Sequence, residues 1–368
     1  MVLSRRLRLL AALLVVLLAA AAAALWFSPS IQQWLFNRGV ARMVAASNTA
    51  PLADDALRVG ICGSSAPLPS ARRAKACVAV FAGGKIYIVD TGPESTENLM
   101  LWGVPLARIG AVLLTHFHSD HIGDLGELQL QSWAAGRPGR LRVYGGPGVE
   151  RVVAGFNEAY AQDQVYRTEH HGEQVMPSAA WGMVAQPVRL AGPETDKLDR
   201  SGLLFDDGAL RITALEVDHE PIRPSYAYRF DYKGRSAVIT GDLKHHPPLI
   251  RGARNADLLI SEAISRNMTR SLENASLAVG KPNTAKIMRD IQDYHISPEE
   301  AADIANRANV RLLVLYHLAP APDGLLPRRL FATGVGEARQ GDWTMVEDGD
   351  LFTLPLGSTE IRKGRVAN

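Results

Sequence analysis

Between Thr115 and Asp124 the chain reads Thr-His-Phe-His-Ser-Asp-His-Ile-Gly-Asp, which places His116, His118, Asp120 and His121 within six positions. Neutral imidazoles and a carboxylate are the donors that borderline divalent ions such as zinc accept. The segment follows the apolar run 111–114, so a strand ending there would deliver all four side chains into one loop at its carboxyl edge. The chain holds 10 histidines in 368 residues. Three of them in six positions mark a metal site rather than a polar loop that happens to be rich in histidine. One loop supplies four donors at most, so other segments must complete the set. His219 ends the strand-like run from Leu210, Asp242 follows the run 236–240 through Gly241, and His317 follows the run 312–316. Each alone reads as an ordinary turn or strand end. Together they put a His or Asp at the carboxyl edge of successive strands, where open α/β sheets bind ligands.

The elements that must position these residues are legible as alternating strands and helices. Strand-like runs cover 57–62, 77–81 and 85–90, the last two joined by a Gly83-Gly84 hairpin turn. A short helix at 95–102 precedes the strand that ends at the histidine run. Helical spacing at 125–135, a strand at 141–144 and a helix from Gly148 to about Gln162 follow. Residues 172–207 read as loops and edge strands. Further strands are expected at 210–217, 225–230, 236–240, 257–260 and 312–316. The helix before the last of these carries a capping box, Ser297 with Pro298 and Glu300. The segment 343–355 reads as a β-hairpin around Asp348-Gly349-Asp350. Strands alternating with helices, and hairpins at both ends, imply two mixed sheets with helices packed outside.

Hydrophobic content of 47% and charged content of 21% are ordinary for a globular α/β protein. A net charge of +2 provides no cationic excess of the kind that marks a nucleic-acid binder, so nucleic acid is not the expected partner. The first 27 residues differ: Arg5, Arg6 and Arg8 precede an unbroken apolar run from Leu9 to Phe27. Alanines 19–24 offer cleavage sites for a signal peptide, whereas Trp26, Phe27 and Trp34 resemble interfacial anchors of a retained span. Either way the expected layout is a leader at 1–27, a helical connector at 28–55 and a catalytic domain at 56–368, exported to the periplasm or held at the periplasmic face of the inner membrane. Cys62 and Cys77 are the two cysteines; a disulfide between them and two separate buried thiols are both open.

From Leu57 to Pro355 the chain resembles the metallo-β-lactamase superfamily, with the HxHxDH run as the most specific signature. It is most similar to the branch holding ribonuclease Z and arylsulfatase-like hydrolases. The loop Gly63 to Pro69 with Arg72 or Arg73, the run Pro224 to Arg229 after His219, and the run His295 to Ala302 leading to His317 carry that likeness. The resemblance implies an αββα sandwich with two divalent ions, zinc being the expected metal. His116, His118 and His219 would hold one ion and Asp120, His121 and His317 the other, with Asp242 bridging and a hydroxide shared between them. It also implies His295 as proton donor or oxyanion partner, and Asp120 as orienter of the nucleophilic water. The chain departs from the branch at Leu243, where Thr or Ser is usual, and at Ser261, where His often stands. It also departs in the interval between His219 and Asp242, which is too short for a tRNA-binding arm.

The expected activity is therefore hydrolysis of a small-molecule ester, a sulfate ester of the arylsulfatase type first. Arg72, Arg73 and Lys281 are candidate partners for its charge. A phosphodiesterase or ribonuclease Z-like endonuclease comes next, then a lactonase. An iron oxidoreductase on the same scaffold is weakened because His118 stands where oxygen-reducing di-iron relatives carry Glu. A non-catalytic binding protein is weakened because all seven expected ligand positions are filled. Specificity is expected to reside in 172–207 and 264–283.

Overall fold

The computed structural model describes residues 5–45, 47–192 and 199–367, so part of the expected specificity segment, 193–198, lies outside the described residues. Residues up to Ser47 form one unit and Asn48–Asn368 a second. In the first unit, the helix Arg5–Phe27 is long and apolar enough to cross a membrane, with a mean hydropathy of 2.7, and a second helix spans Pro29–Ala45. The second unit begins before the expected boundary at 56. The Asn48 side chain donates to the carbonyls of Trp102 and Val366, and the Arg58 guanidinium pairs with Asp55.

Fifteen strands are present among the described residues: β1 Ala56–Gly63, β2 Cys77–Ala82, β3 Lys85–Val89, β4 Ile109–Leu113, β5 Leu141–Gly145, β6 Met183–Pro187, β7 Ser201–Asp206, β8 Leu210–His219, β9 Ile222–Tyr232, β10 Arg235–Ile239, β11 Leu258–Ile264, β12 Leu312–Ala319, β13 Asp342–Met345, β14 Asp350–Pro355 and β15 Arg362–Arg365. They form an eight-stranded sheet, β15-β14-β1-β2-β3-β4-β5-β6, and a seven-stranded sheet, β13-β12-β11-β10-β9-β8-β7. Strand periodicity explains the layers, because successive side chains point to opposite faces. Leu57, Val59, Ile61, Val78 and Val80 of the first sheet meet Tyr228, Phe230, Ile239, Ile260 and Val314 of the second in one core. The alternate residues face outward onto helices. Ala79, Phe81, Ile88 and Val112 pack on Leu99, Leu125 and Val153; Val238, Leu259 and Leu313 pack on Ala301, Ile304 and Ala305. The result is the αββα sandwich, a metallo-β-lactamase fold.

Two local readings change. The segment 343–355 is not a hairpin: β13 pairs in parallel with β12 in one sheet, while β14 pairs antiparallel with β1 in the other. The turn chemistry at Asp348-Gly349 is real, but the chain uses it to cross between sheets. The helical stretch after Gly148 is two helices, Val149–Ala159 and Ala161–His171, reaching further than expected. Elsewhere the Gly83-Gly84 turn has φ of +59° and +68°, as a tight hairpin demands, and the capping box at Ser297 and Glu300 is complete. Cys62 and Cys77 are joined in a disulfide, which settles the open alternative. In both sheets the later strands, β3 to β6 and β10 to β13, run parallel, so their carboxyl ends gather along one edge.

Candidate metal centre

At that edge the structure brings together all seven residues expected to bind metal. His116, His118, His219 and Asp242 form one group of potential ligand atoms and Asp120, His121 and His317 another, each within 4.8 Å. The two groups meet at Asp242. Its Oδ2 lies 3.9 Å from His116 Nε2 and 3.8 Å from His219 Nε2, while its Oδ1 lies 3.4 Å from His121 Nε2 and 3.5 Å from His317 Nδ1. One carboxylate thus turns one oxygen to each group.

Local backbone explains this convergence. The histidine loop leaves β4 and is tied across to β9, where Tyr228 Oη donates to the Leu114 carbonyl at 2.6 Å and the Tyr226 N–H to the Thr115 carbonyl at 3.1 Å. Asp242 is set by Gly241, whose φ is +59° and where a Cβ would lie 2.6 Å from the Thr115 side chain, so only glycine fits. His317 does not follow β12 but lies inside it, with φ of +44° at a register shift opposite Glu262 and Ala263. A non-glycine residue there costs roughly 1–3 kcal/mol and persists only where its surroundings impose it.

Hydrogen bonds on the outer ring nitrogens fix which nitrogen faces the centre. His121 Nδ1 donates to Asp90 at 2.8 Å and His219 Nδ1 to the Tyr294 carbonyl at 2.9 Å, leaving Nε2 inward in both. Asp90 is itself held by the Thr115 N–H and Oγ1, each at 2.8 Å. Burial holds His116 well below its usual pKa, lowers His118, and brings His219 to about 4, so all three favour the neutral, lone-pair form. Burial opposes ionisation of Asp120 and Asp242, but the neighbouring histidines win. Asp120 falls to about 2 through His121, and Asp242 falls well below the carboxylate range through His317 and His121.

The donor set passes a direct test of fit to a cation. His121 Nε2, His219 Nε2, Asp242 Oδ1 and His317 Nδ1 are buried and have no hydrogen-bond partner among the described residues, which is rare for polar atoms unless something else satisfies them. His116 Nε2 and His118 Nδ1 stand 2.9 Å apart, two ring nitrogens facing each other. A divalent metal bound by imidazoles and carboxylates resolves each of these orphans.

His295 is placed beside the centre. Its Nδ1 contacts Glu262 at 2.8 and 3.0 Å, and the same carboxylate accepts the Leu243 N–H at 2.9 Å. At position 243 the backbone donates to Glu262 while the leucine side chain is buried in the core. Burial pushes His295 down in pKa, but the Glu262 charge and hydrogen bond outweigh it and raise it to about 9. His295, Asp120, His118 and Asp242 line a cleft of about 310 Å³, whose apolar wall is formed by Ala66 to Leu68 together with Ile287, Met288 and Ile291.

The sequence reading missed Asp90 and the orienting role of Glu262. Asp90 directly follows β3 and precedes Thr91-Gly92, the same strand-end pattern that singled out Asp242. Arg73, a candidate partner for substrate charge, is instead buried against Asp323, the Ser64 hydroxyl and the Val346 carbonyl, where it fastens a loop. The other histidines stay outside the centre. His170 and His171 end a helix on the surface, His245 pairs with Asp303 at 3.0 Å, and His246 is buried. The interval between His219 and Asp242 consists of turns, β9 and β10, without an inserted arm.

Comparison with known proteins accords with this geometry. Residues 86–318 match the beta-lactamase superfamily domain. Ribonuclease Z of Mycobacterium marinum is 32% identical over 268 residues, covering 72% of this chain and 87% of the relative; that of Mycolicibacterium paratuberculosis is 33% identical over the same shares. Among solved structures, human short-form tRNase Z aligns with a TM-score of 0.57 at 22% identity over 81% of this chain and 99% of its own. The metallo-β-lactamase fold protein YhfI of Bacillus subtilis aligns with a TM-score of 0.55 at 22% identity, over 82% and 100%. The curated relatives are named as ribonucleases, which overturns the expectation of a small-molecule ester substrate with nucleic acid excluded. Net charge misled there, because a sum over the whole chain says nothing about one cleft. The chain belongs to the metallo-β-lactamase superfamily, in its ribonuclease Z branch, and is a metal-dependent hydrolase acting on ester bonds.

Proposed function

We propose that the protein hydrolyses phosphodiester bonds in RNA with two divalent ions, zinc in the first instance, and that the phosphodiester reading replaces the sulfate-ester one. The observation that carries it is Asp242 turning one oxygen to each of two donor groups, set beside relatives named ribonuclease Z. His116, His118 and His219 would hold one ion, Asp120, His121 and His317 the other, and Asp242 both. Such a pair would supply a water acidified into the neutral range and charge neutralisation for the attacking and leaving oxygens.

The chain's own residues do the remainder. Asp90 and the Tyr294 carbonyl hold His121 and His219 in the tautomer whose Nε2 faces inward. Asp120 borders the cleft and orients the attacking water. Glu262 fixes His295 through Nδ1, leaving Nε2 for the cleft, where it gives a proton to the departing oxygen. The apolar wall of Ile287, Met288 and Ile291 offers a surface for a base or ribose next to the scissile phosphate. The apolar helix Arg5–Phe27 and the Cys62–Cys77 disulfide support placing the catalytic unit outside the cytoplasm.

The test is to incubate metal-loaded full-length protein with an end-labelled structured RNA, bis-p-nitrophenyl phosphate and p-nitrophenyl sulfate. Cleavage of the RNA and the phosphodiester, lost in Asp120→Ala and His121→Ala, is the expected result. Sulfate release without phosphodiester turnover would overturn the reading.

A further inference from the structure

The opposite edge of the first sheet holds a second cleft, about 410 Å³, between the β2–β3 turn and the amino ends of β4 and β5. Lys85, Arg108, Arg137, Arg140 and Arg142 line it, and no Asp or Glu does. Asp207 stands near enough to Lys85 to feel its charge but lies outside the lining. The metal centre lies beyond the carboxyl end of these same strands. Lys85 opens β3 and Asp90 follows it, a separation of roughly 16 Å at strand rise.

Arg137 is the telling residue, because it is buried, only 3% exposed. The helix Leu125–Ala134 ends on Gly136, whose φ is +89°, and the Arg137 N–H bonds back to the Ser132 carbonyl. This left-handed cap turns Arg137 across the helix end. There its Nε donates to Ser132 Oγ at 3.1 Å, which fixes the guanidinium plane. Nη1 and Nη2 are buried with no acceptor among the described residues. Burial alone lowers its pKa to about 10, leaving it charged at neutral pH with no carboxylate to compensate. A buried guanidinium without an anion is costly, and its two unpartnered terminal nitrogens form a fork that matches a carboxylate or phosphoryl group bidentately. The four exposed cations around it select for more than one negative charge. Arg108 and Arg140 are already steered by single bonds to the Gly84 and Met183 carbonyls and keep further N–H groups for a ligand.

We propose that this cleft is a second anion site, distinct from the metal centre, which binds a phosphoryl anion carrying two or more charges with Arg137 as its buried anchor. Inorganic pyrophosphate, titrated calorimetrically into the full-length metal-loaded protein in detergent, tests it beside Arg137→Met and the surface double variant Arg140→Ala/Arg142→Ala. The expected result is a binding component that weakens about tenfold or more in both variants and falls with added salt, while metal content and the melting transition stay as in the parent. The surface double variant keeps the test valid should Arg137→Met fold poorly. Isotherms identical in all three proteins would assign every bound anion to the metal centre and overturn the site, as would no binding at all. A short single-stranded RNA titrated in parallel separates the sources. Loss of its binding in the same variants identifies a backbone phosphate as the ligand, and unchanged RNA binding identifies a small free anion.

Discussion

Asp90 and Glu262 show how far single side chains govern this centre without facing the substrate. Asp90 anchors both Thr115 and His121, so Asp90→Asn should weaken metal retention about 10–100-fold, the usual cost of losing a carboxylate behind a metal-binding histidine. Dialysis against graded chelator followed by metal analysis reads this directly. If His295 is the proton donor, His295→Ala should lower kcat by roughly 10²–10⁴ with metal content intact. Glu262→Gln, which keeps a partner for Nδ1 but removes its charge, should fall between that variant and the parent. Equal kcat in all three would remove His295 from the chemistry. The donors themselves were legible because HxHxDH packs four of them into one loop. Asp90 carries only the strand-end signal it shares with Asp242, and Glu262, inside β11, carries none of the spacing that marks a donor cluster. Arg73 misled for the converse reason: its position resembles a substrate contact, and only burial reveals that it clamps Ser64 and Val346.

Strands were read mostly within a residue or two because alternating or continuous apolar runs bounded by Gly and Asp survive in the fold. The connection from β13 to β14 was not, since a turn dipeptide specifies a local bend and not the sheet each flank will join. His317 was placed after its strand for a similar reason, as a left-handed kink inside β12 leaves no trace in residue type. The Cys62–Cys77 bridge fastens the end of β1 to the start of β2 and closes the loop that carries Ala66 to Leu68, part of the apolar wall of the metal cleft. A closed loop of this size is worth about 3 kcal/mol in the chain-entropy account. Cys62→Ala/Cys77→Ala should therefore melt several degrees lower and, with its cleft wall loosened, show a higher KM while kcat changes little. Calorimetry and steady-state kinetics on one preparation check both halves.

Across the whole molecule, the candidate ligands come from both sheets. His116, His118, Asp120 and His121 follow β4 of the eight-stranded sheet, whereas His219, Asp242 and His317 belong to the strands and turns of the seven-stranded one. Arg235 joins the sheets again at a distance from the centre, pairing with Asp257 while donating to the Pro355 and Glu360 carbonyls. Stripping metal should abolish hydrolysis and also lower the melting temperature of the catalytic unit. Any ligand that binds only the folded state stabilises it, by about 2.7 kcal/mol at a hundredfold excess over Kd. Titrating zinc back should restore both together. At this seam a bound metal would act as a rivet as well as a reagent, because neither sheet alone presents a complete set of donors. A cell that withholds the metal would then not merely idle this enzyme. It would loosen the joint between its halves, so that metal supply would set how long the protein lasts as well as how fast it works.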